Sequence, residues 1–246
     1  ERPTSFCLAR SVLGAVAGTQ ARAFGRSAAH EIALHRAYRE PWQGEGLQLS
    51  AHEYGIVRSN VEAAARAEES LTPRLRAMVD ELPAGQLVGL EHARKDLDSL
   101  ARKTATGLRR PNVTAAVVNA KIVDSVRYTV QMPGDTYAAD VVHTVNRLRS
   151  EGFESVKWRN GWLEDRGYQG INSAWRDPGT GRVFEVQFHT PESFDAKMVT
   201  HDLYKEIRLP GIDPATRAAL DAQQDLVFDN VPRPAGLTDL TETKMG

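Results

Sequence analysis

The clearest pattern in the chain is a strict alternation near residue 185. In RVFEVQFH, Phe184, Val186 and Phe188 alternate with Glu185, Gln187 and His189. Side chains on a strand point to opposite sides in turn, so this predicts a strand over Arg182–His189 with an apolar face and a polar face. The segment Tyr168–Arg176 predicts a partner strand. Asp177-Pro178-Gly179-Thr180-Gly181 between them is a turn, so the two form an antiparallel hairpin. Upstream, KIVDSVRYTVQ (Lys121–Gln131) is rich in β-branched residues and predicts another strand. Pro133-Gly134 turns the chain, and Asp135 is placed to cap a helix over Tyr137–Ser150, followed by a strand over Phe153–Trp158. After the hairpin, helices are expected over Pro191–Arg208 and Asp213–Phe228, and then an irregular, surface-bound tail from Val231.

The first 110 residues read differently. Ala, Arg, Glu and Leu dominate, β-branched residues are sparse, and helices are expected over Ser11–Tyr38, Ser50–Glu69, Thr72–Glu81 and Leu87–Leu100. Pro41 to Gly46 separates the first pair. Pro73, with Thr72 as cap, opens the third, and Pro83 and Gly85 close it. The fold class expected is α+β: a helical N-terminal part on a mixed, mainly antiparallel sheet with flanking helices. The expected division is 1–100 helical, 101–230 catalytic and 231–246 tail, together forming one compact unit.

Composition narrows the function. Arg plus Lys is 31 and Asp plus Glu is 32 over 246 residues, a net charge of −1. That balance argues against a DNA or RNA binder, which needs a basic field, but leaves room for a local basic pocket around a phosphorylated small molecule. A single cysteine, Cys7, excludes an internal disulfide and a cysteine metal cluster. No apolar run reaches the roughly 18 residues of a membrane span.

Polar residues inside strands are the candidate chemistry. Asp124 interrupts Ile122, Val123, Val126 and Val130, a costly place for a carboxylate unless it is paired or holds a metal. Asp124 and Glu185 together suit a magnesium ion carrying a triphosphate, although spacing alone does not bring them together. Arg127 has the opposite parity to Asp124 and needs a bulge or twist to reach the same site. Tyr168 and Asn172 share a strand face that can meet Glu185 across the hairpin, and Gly167 and Gly170 leave room for a ligand beside the backbone. Lys197, His201, Tyr204, Lys205 and Arg208 line one helix face opposite Val199, Leu203 and Ile207. Arg102, Lys103, Arg109 and Arg110 form a basic cluster before the Asp124 segment. Each of these also has a plain reading as a solvated face.

At these residues the sequence resembles the RelA/SpoT-like pyrophosphokinases, the synthetases of guanosine alarmones, over about residues 95–210. Arg102-Lys103-Thr104 resembles the family's basic motif, and Asp124-Ser125-Val126-Arg127 its metal-binding Asp segment. Gly167 through Asn172 is similar to its Gly-Tyr element, and Glu185-Val186-Gln187-Phe188-His189-Thr190 to its Glu-Val-Gln motif. His201 and Tyr204 fall where the family has a helix with His and Tyr. The likeness is greatest to the secreted nucleotide 3'-pyrophosphokinases. It implies magnesium-dependent transfer of the β,γ-pyrophosphate of ATP to the 3'-hydroxyl of a purine nucleotide, with manganese or cobalt as other candidate ions. It implies Asp124 and Glu185 as metal ligands and Glu185 near the acceptor hydroxyl. Arg102 would stack on the donor adenine. Lys103 and Arg127 would hold donor phosphates, and Lys197 and His201 would contact phosphate. Arg109, Lys121 and Ser125 complete the expected donor set. Tyr168 would stack on the acceptor base, with Asn172, Gln187, His189 and Arg166 lining that side.

The sequence departs from the family in three places. The Asp segment is one residue shorter before Arg127, Asn172 stands where the housekeeping enzymes have His, and Asn160 to Arg166 replaces a lysine-containing segment. These favour a relaxed acceptor. No hydrolase motif accompanies the synthetase-like region. A monomer acting on free nucleotides is expected. The resemblance and the start at Glu1 give secretion as the expected localisation, with the cytoplasm as the alternative. Two other functions compete: a toxin-type relative acting on adenosine nucleotides or RNA ends, and an inactive nucleotide-binding module.

Overall fold

A computed structural model describes residues 40–164, 167–207 and 211–241. The expected helix over Ser11–Tyr38 lies outside the described residues, as do Cys7, Arg166 and Arg208. Among the described residues no helix is long and apolar enough to cross a membrane.

The interruption at Pro41–Gly46 is a small hairpin. Strand β1 (Trp42–Gly44) pairs antiparallel with β2 (Leu47–Leu49), and Glu45 and Gly46 turn the chain at φ 51° and 72°. Helix α1 (Ala51–Val79) follows, opened by a capping box in which Glu53 N donates to Ser50 Oγ and Ser50 N donates to Glu53 Oε2 at 2.8 Å. The two helices expected over 50–81 are therefore one, and Pro73 lies inside it. Proline removes one backbone bond there. Burial of Leu71, Leu75, Met78 and Val79 offsets this, as does the Thr72 hydroxyl, which donates to Glu68 and contacts the Tyr128 hydroxyl at 2.8 Å.

The helix expected over Leu87–Leu100 is also corrected. Gln86–Val88 forms an edge strand, β3, and Gly89 at φ 65° ends it. A 3₁₀ turn follows at Leu90–His92. Asp96 then caps α2 (Leu97–Leu108) by accepting from Ser99 N at 2.7 Å. Residue 100, taken as a division, falls within this helix. The short helix α3 (Ala115–Ala120) leads into β4 (Arg127–Gln131), which is shorter than the expected Lys121–Gln131. Residues 122–125 are a connection ahead of the strand.

Helix α4 (Tyr137–Ser150) matches its expected limits, but Thr136 rather than Asp135 holds the cap position. Strands β5 (Glu154–Asn160), β6 (Ile171–Arg176) and β7 (Val183–His189) complete a sheet of order β3-β4-β7-β6-β5. Only the β4–β7 pairing is parallel; β3–β4, β6–β7 and β5–β6 are antiparallel. The α+β class with a mixed, mainly antiparallel sheet is thus the observed one.

The apolar face of the sheet is the core. Tyr128, Val130, Phe184, Val186, Phe188, Ile171, Trp175 and Trp158 pack against the C-terminal half of α1 and the inner face of α4. The hairpin β1–β2 builds a second apolar cluster with α1 and α2, through Trp42, Leu49, Val57, Leu100 and Ala101.

The helix expected over Pro191–Arg208 divides at Thr200 into α5 (Pro191–Val199) and α6 (His201–Ile207), because the chain turns at the Thr200 cap. The single long apolar face therefore does not form: Val199 is exposed while Ile207 is buried. Helix α7 (Pro214–Phe228) starts from the Asp213 cap. The tail is not surface-bound. Leu237 and Leu240 are buried, the Trp158 indole donates to Leu240 O at 3.0 Å, and Arg233 donates to Trp162 O. Few apolar residues suffice there because their backbone carbonyls satisfy buried donors of the sheet edge.

Candidate functional site

The polar face of the sheet is a floor whose rows are set by strand register. One row runs Arg127 (β4), Glu185 (β7), Ala174 (β6) and Lys157 (β5). The next runs Thr129, Gln187, Asn172 and Arg159. Neighbouring strands lie about 4.8 Å apart, so each row presents its side chains at short, fixed intervals. The hairpin expectation holds: Asn172 faces the same side as Glu185 and Gln187. Arg127 reaches Glu185 without a bulge, because Asp124 precedes the strand and strand parity does not apply to it.

Asp124 is held by two lysines. Its Oδ1 accepts from Lys103 Nζ at 2.6 Å and its Oδ2 lies 3.0 Å from Lys95 Nζ. Burial pushes this carboxyl up, but Lys95 and Lys103 outweigh it and bring the pKa down to about 2. Glu185 goes the other way. Burial raises its pKa, and the negative charge of Asp124 raises it further, against Arg127, Gln187 and Lys197. Its Oε1 accepts from Gln187 Nε2. The two carboxylates thus sense one another across the floor, sixty-one positions apart in the sequence.

That repulsion is the test of fit for a divalent cation. Lys95 and Lys103 satisfy Asp124, whereas Glu185 has only the Gln187 amide as a hydrogen-bond partner among the described residues, and Arg127 and Lys197 relieve the charge of Asp124 only in part. An all-oxygen pair of this kind fits magnesium, which takes one or two carboxylates and completes its shell with phosphate oxygens and water. No cluster of three or more His, Cys, Asp or Glu suited to a metal occurs among the described residues, so the protein's share of such a site is these two groups.

Cations surround the pair. Arg127 is half-buried, and its guanidinium makes no hydrogen bond or ion pair with a described residue, yet it acts electrostatically on Glu185, Lys197, His189 and His201. Lys197 donates to Gln187 Oε1 at 2.6 Å, and burial with Arg127 lowers its pKa to about 8. His201, at the start of α6, is lowered by burial and by Lys205, with smaller contributions from Arg127 and Lys197. Lys95 is a site residue the sequence reading missed. It lies before the Asp96 cap, outside α2, so no helical periodicity links it to Lys103 and no local signal marked it.

Other expected site residues are placed elsewhere or differently. Arg102 is gripped by Glu45 Oε2 at 3.0 Å from Nε and by Asp98 Oδ2 at 2.6 Å from Nη2, while the Trp42 indole donates to Asp98 Oδ1 at 2.9 Å. The β1–β2 turn therefore holds the guanidinium by charge, while the directed bond comes from Asp98 on α2. Ser125 is fully buried and its hydroxyl accepts from Arg182 at 2.7 Å, so it pins the Asp124 connection to the β6–β7 turn. Arg109 and Lys121 are exposed, and nothing ties either to the carboxylate pair. Arg159, on the floor beside Asn172, pairs with Glu164 at 2.5 Å.

Tyr168 is not a bare platform. Its hydroxyl donates to Asn172 Oδ1 at 2.8 Å and lies 2.7 Å from His189 Nε2, while its ring meets those of His189 and Phe228 edge-on. His189 has no exposed surface and lies behind Tyr168, so it cannot line the acceptor side itself. Burial keeps it neutral by holding its pKa well below the usual histidine range. Gly170 makes this packing possible: a Cβ there would come 2.6 Å from His189 Cε1 and 2.9 Å from the Tyr168 hydroxyl. Gly170→Ala should cost about 1–3 kcal/mol in urea unfolding, a price of overpacking. An unchanged midpoint would show that the two rings are not locked together.

No family model matches the chain, and no curated protein matches it in sequence. Solved structures similar to it include small alarmone synthetases and a GTP pyrophosphokinase family protein. Small alarmone synthetase 1 from Bacillus subtilis bound to its product pppGpp is 13% identical, with a TM-score of 0.47 over 68% of this chain and 87% of that one. A GTP pyrophosphokinase family protein from Streptococcus pneumoniae is 14% identical, with a TM-score of 0.45 over 69% and 84%. Small alarmone synthetase 2 from Bacillus subtilis is 15% identical, with a TM-score of 0.45 over 70% and 92%.

Proposed function

We propose that the chain transfers the β,γ-pyrophosphate of ATP to the 3'-hydroxyl of a purine nucleotide. The observation that carries this reading is the half-buried Glu185, opposite Arg127 on the sheet and linked through Gln187 to Lys197, with Asp124 held by Lys95 and Lys103 close enough to raise its pKa. A polyphosphate needs its charge spread over several fixed cations, and an attacking hydroxyl needs a carboxylate at hydrogen-bond reach. The floor supplies both within two strand rows. The motif resemblance through Asp124, Tyr168 and Glu185 points to the same chemistry.

In this reaction the 3'-oxygen bonds to the β-phosphorus of ATP, the bond from that phosphorus to the α–β bridging oxygen breaks, and AMP leaves. Glu185 accepts the proton of the hydroxyl, and its raised pKa makes it a better base than an ordinary carboxylate. Arg127 and Lys197 face the transferred group from β4 and α5. Lys95 and Lys103 hold Asp124 and are placed for the donor phosphates. Arg102, paired with Glu45 and Asp98, offers a flat face to the adenine. A magnesium ion held by Asp124 and Glu185 would supply charge neutralisation across the triphosphate. Secretion belongs to the same proposal and rests on the resemblance.

The test is incubation with ATP, magnesium and a panel of AMP, ADP, ATP, GMP, GDP, GTP and short RNA, followed by mass measurement. A mass gain of one pyrophosphate on a purine nucleotide, with AMP formed in equal amount, is expected. Products only on RNA would favour the toxin-type reading, and ATP binding without any product would leave an inactive binding module.

A further inference from the structure

Behind the floor runs a chain of hydrogen bonds whose polarity can be worked out. Tyr168 has one hydroxyl proton, and it goes to Asn172 Oδ1, an atom that can only accept. The contact from Tyr168 to His189 Nε2 at 2.7 Å must then be donated by the imidazole. A neutral imidazole carries one N–H, so His189 Nδ1 is bare, and at 2.9 Å from Ser193 Oγ it takes the hydroxyl proton in preference to Thr190 O, the more distant acceptor at 3.2 Å. Ser193 is itself held in place: its oxygen accepts from Thr190 N at 3.0 Å at the start of α5. Every member behind Tyr168 is buried, so no water can replace a link.

The outcome falls on Asn172. With Oδ1 used by Tyr168, its amide cannot flip without leaving a polar group unmatched. Its Nδ2 donates to no described residue, and it lies on the polar face opposite Gln187, one row from Glu185. We propose that the Ser193–His189–Tyr168 relay fixes Asn172 so that it presents only N–H to the acceptor nucleotide, recognising an acceptor atom that adenine and guanine share. This rests on the pyrophosphokinase reading and adds which polarity the acceptor side reads and which residues set it. Purine ring nitrogens N3 and N7 are such atoms, whereas the 6-position is an amine in one base and a carbonyl in the other. A donor-only contact therefore binds both purines and does not choose between them. His189 and Ser193 act as positioning residues.

Two measurements on the full chain test this. Nitrogen-15 NMR of the histidine side chains, with His189 assigned by its loss in His189→Gln, should show the Nε2–H form. The Nδ1–H form overturns the relay, because Ser193 would then accept, Tyr168 would donate to histidine, and Asn172 would turn its oxygen outward. Binding is measured with 3'-deoxy-GDP and 3'-deoxy-ADP while α,β-methylene-ATP fills the donor site. Asn172→Asp, which replaces the donor with an acceptor of the same shape, should weaken both about tenfold and leave the KM for ATP unchanged. Ser193→Ala should weaken them several-fold in the same pattern. Retained affinity in Asn172→Asp, or equal losses for donor and acceptor, overturns the proposal. If the unsubstituted chain binds neither analogue but shows the Nε2–H form, the functional reading and the ligand end of the relay fail, while the relay itself stands.

Discussion

Glu185→Gln is expected to lower the transfer rate by about 10²- to 10⁴-fold, the range that a positioned general base contributes. The substitution is nearly isosteric. The new amide retains an oxygen that can accept from Gln187 Nε2, so the floor keeps its shape. Stability should move the other way. The carboxyl's pKa is raised in the folded chain, first by burial and then by Asp124. A carboxyl raised on folding binds its proton more tightly in the native state, so ionising it costs stability as pH rises above the ordinary value of 4.5. At pH 7–8 the variant should therefore melt above the unsubstituted chain, and the gain should vanish as pH falls below about 4.5. The measurements are initial rates by product mass and melting curves across pH. A variant that retains turnover removes Glu185 from the chemistry; one that loses turnover and also melts lower shows that Glu185 serves the fold instead.

Asp124→Asn is the second large effect, and its sign is opposite. Asp124 stands at a pKa of about 2 against an ordinary 3.8, because Lys95 and Lys103 outweigh its burial. The ionised group is thus worth about 2 kcal/mol to the fold at neutral pH, and losing it should lower the Tm by about 5 °C. This contribution is fully present above the unfolded value of 3.8 and is lost as pH falls toward about 2, so the two proteins should converge at acid pH. Activity should fall at least about a hundredfold, since the same group orients Lys95 and Lys103 and would share the cation. Binding of manganese, followed by its paramagnetic effect on water relaxation in the presence of ATP, should weaken in parallel. Unchanged manganese affinity would confine Asp124 to holding the lysines.

These two carboxylates show what local sequence conveys and what it does not. The alternation in RVFEVQFH placed Glu185 on the polar face correctly, because the direction of a side chain on a strand follows from the backbone of that strand alone. Asp124 was read as a strand residue from its β-branched neighbours, but it lies in the connection before β4. Its ion pair with Lys95 depends on a cap at Asp96 and on α2 packing beside that connection, neither of which the neighbours of Asp124 encode. Tyr168 and Asn172 were assigned to the right face, yet the role of the hydroxyl was hidden. It depends on His189, twenty-one residues away, and on the absence of a side chain at Gly170.

The helical breaks follow the same division. Pro73 is a strong local stop signal, but the buried Leu71, Leu75 and Met78 carry the helix through it. Leu237 and Leu240 gave too little periodic signal to mark as core, and only the open edge beside Trp158 and Asn160 gives them a place. The sequence by itself determined the element types from β4 onward, the two faces of the sheet and most of the residues able to carry charge chemistry. Each of these is a property of a few adjacent residues. Only the tertiary structure decided that Arg127 stands opposite Glu185, that two lysines claim Asp124, and that a buried histidine sets the amide of Asn172. These pairings join segments far apart along the chain, where hydrogen-bond register and packing, rather than local preference, choose the partner.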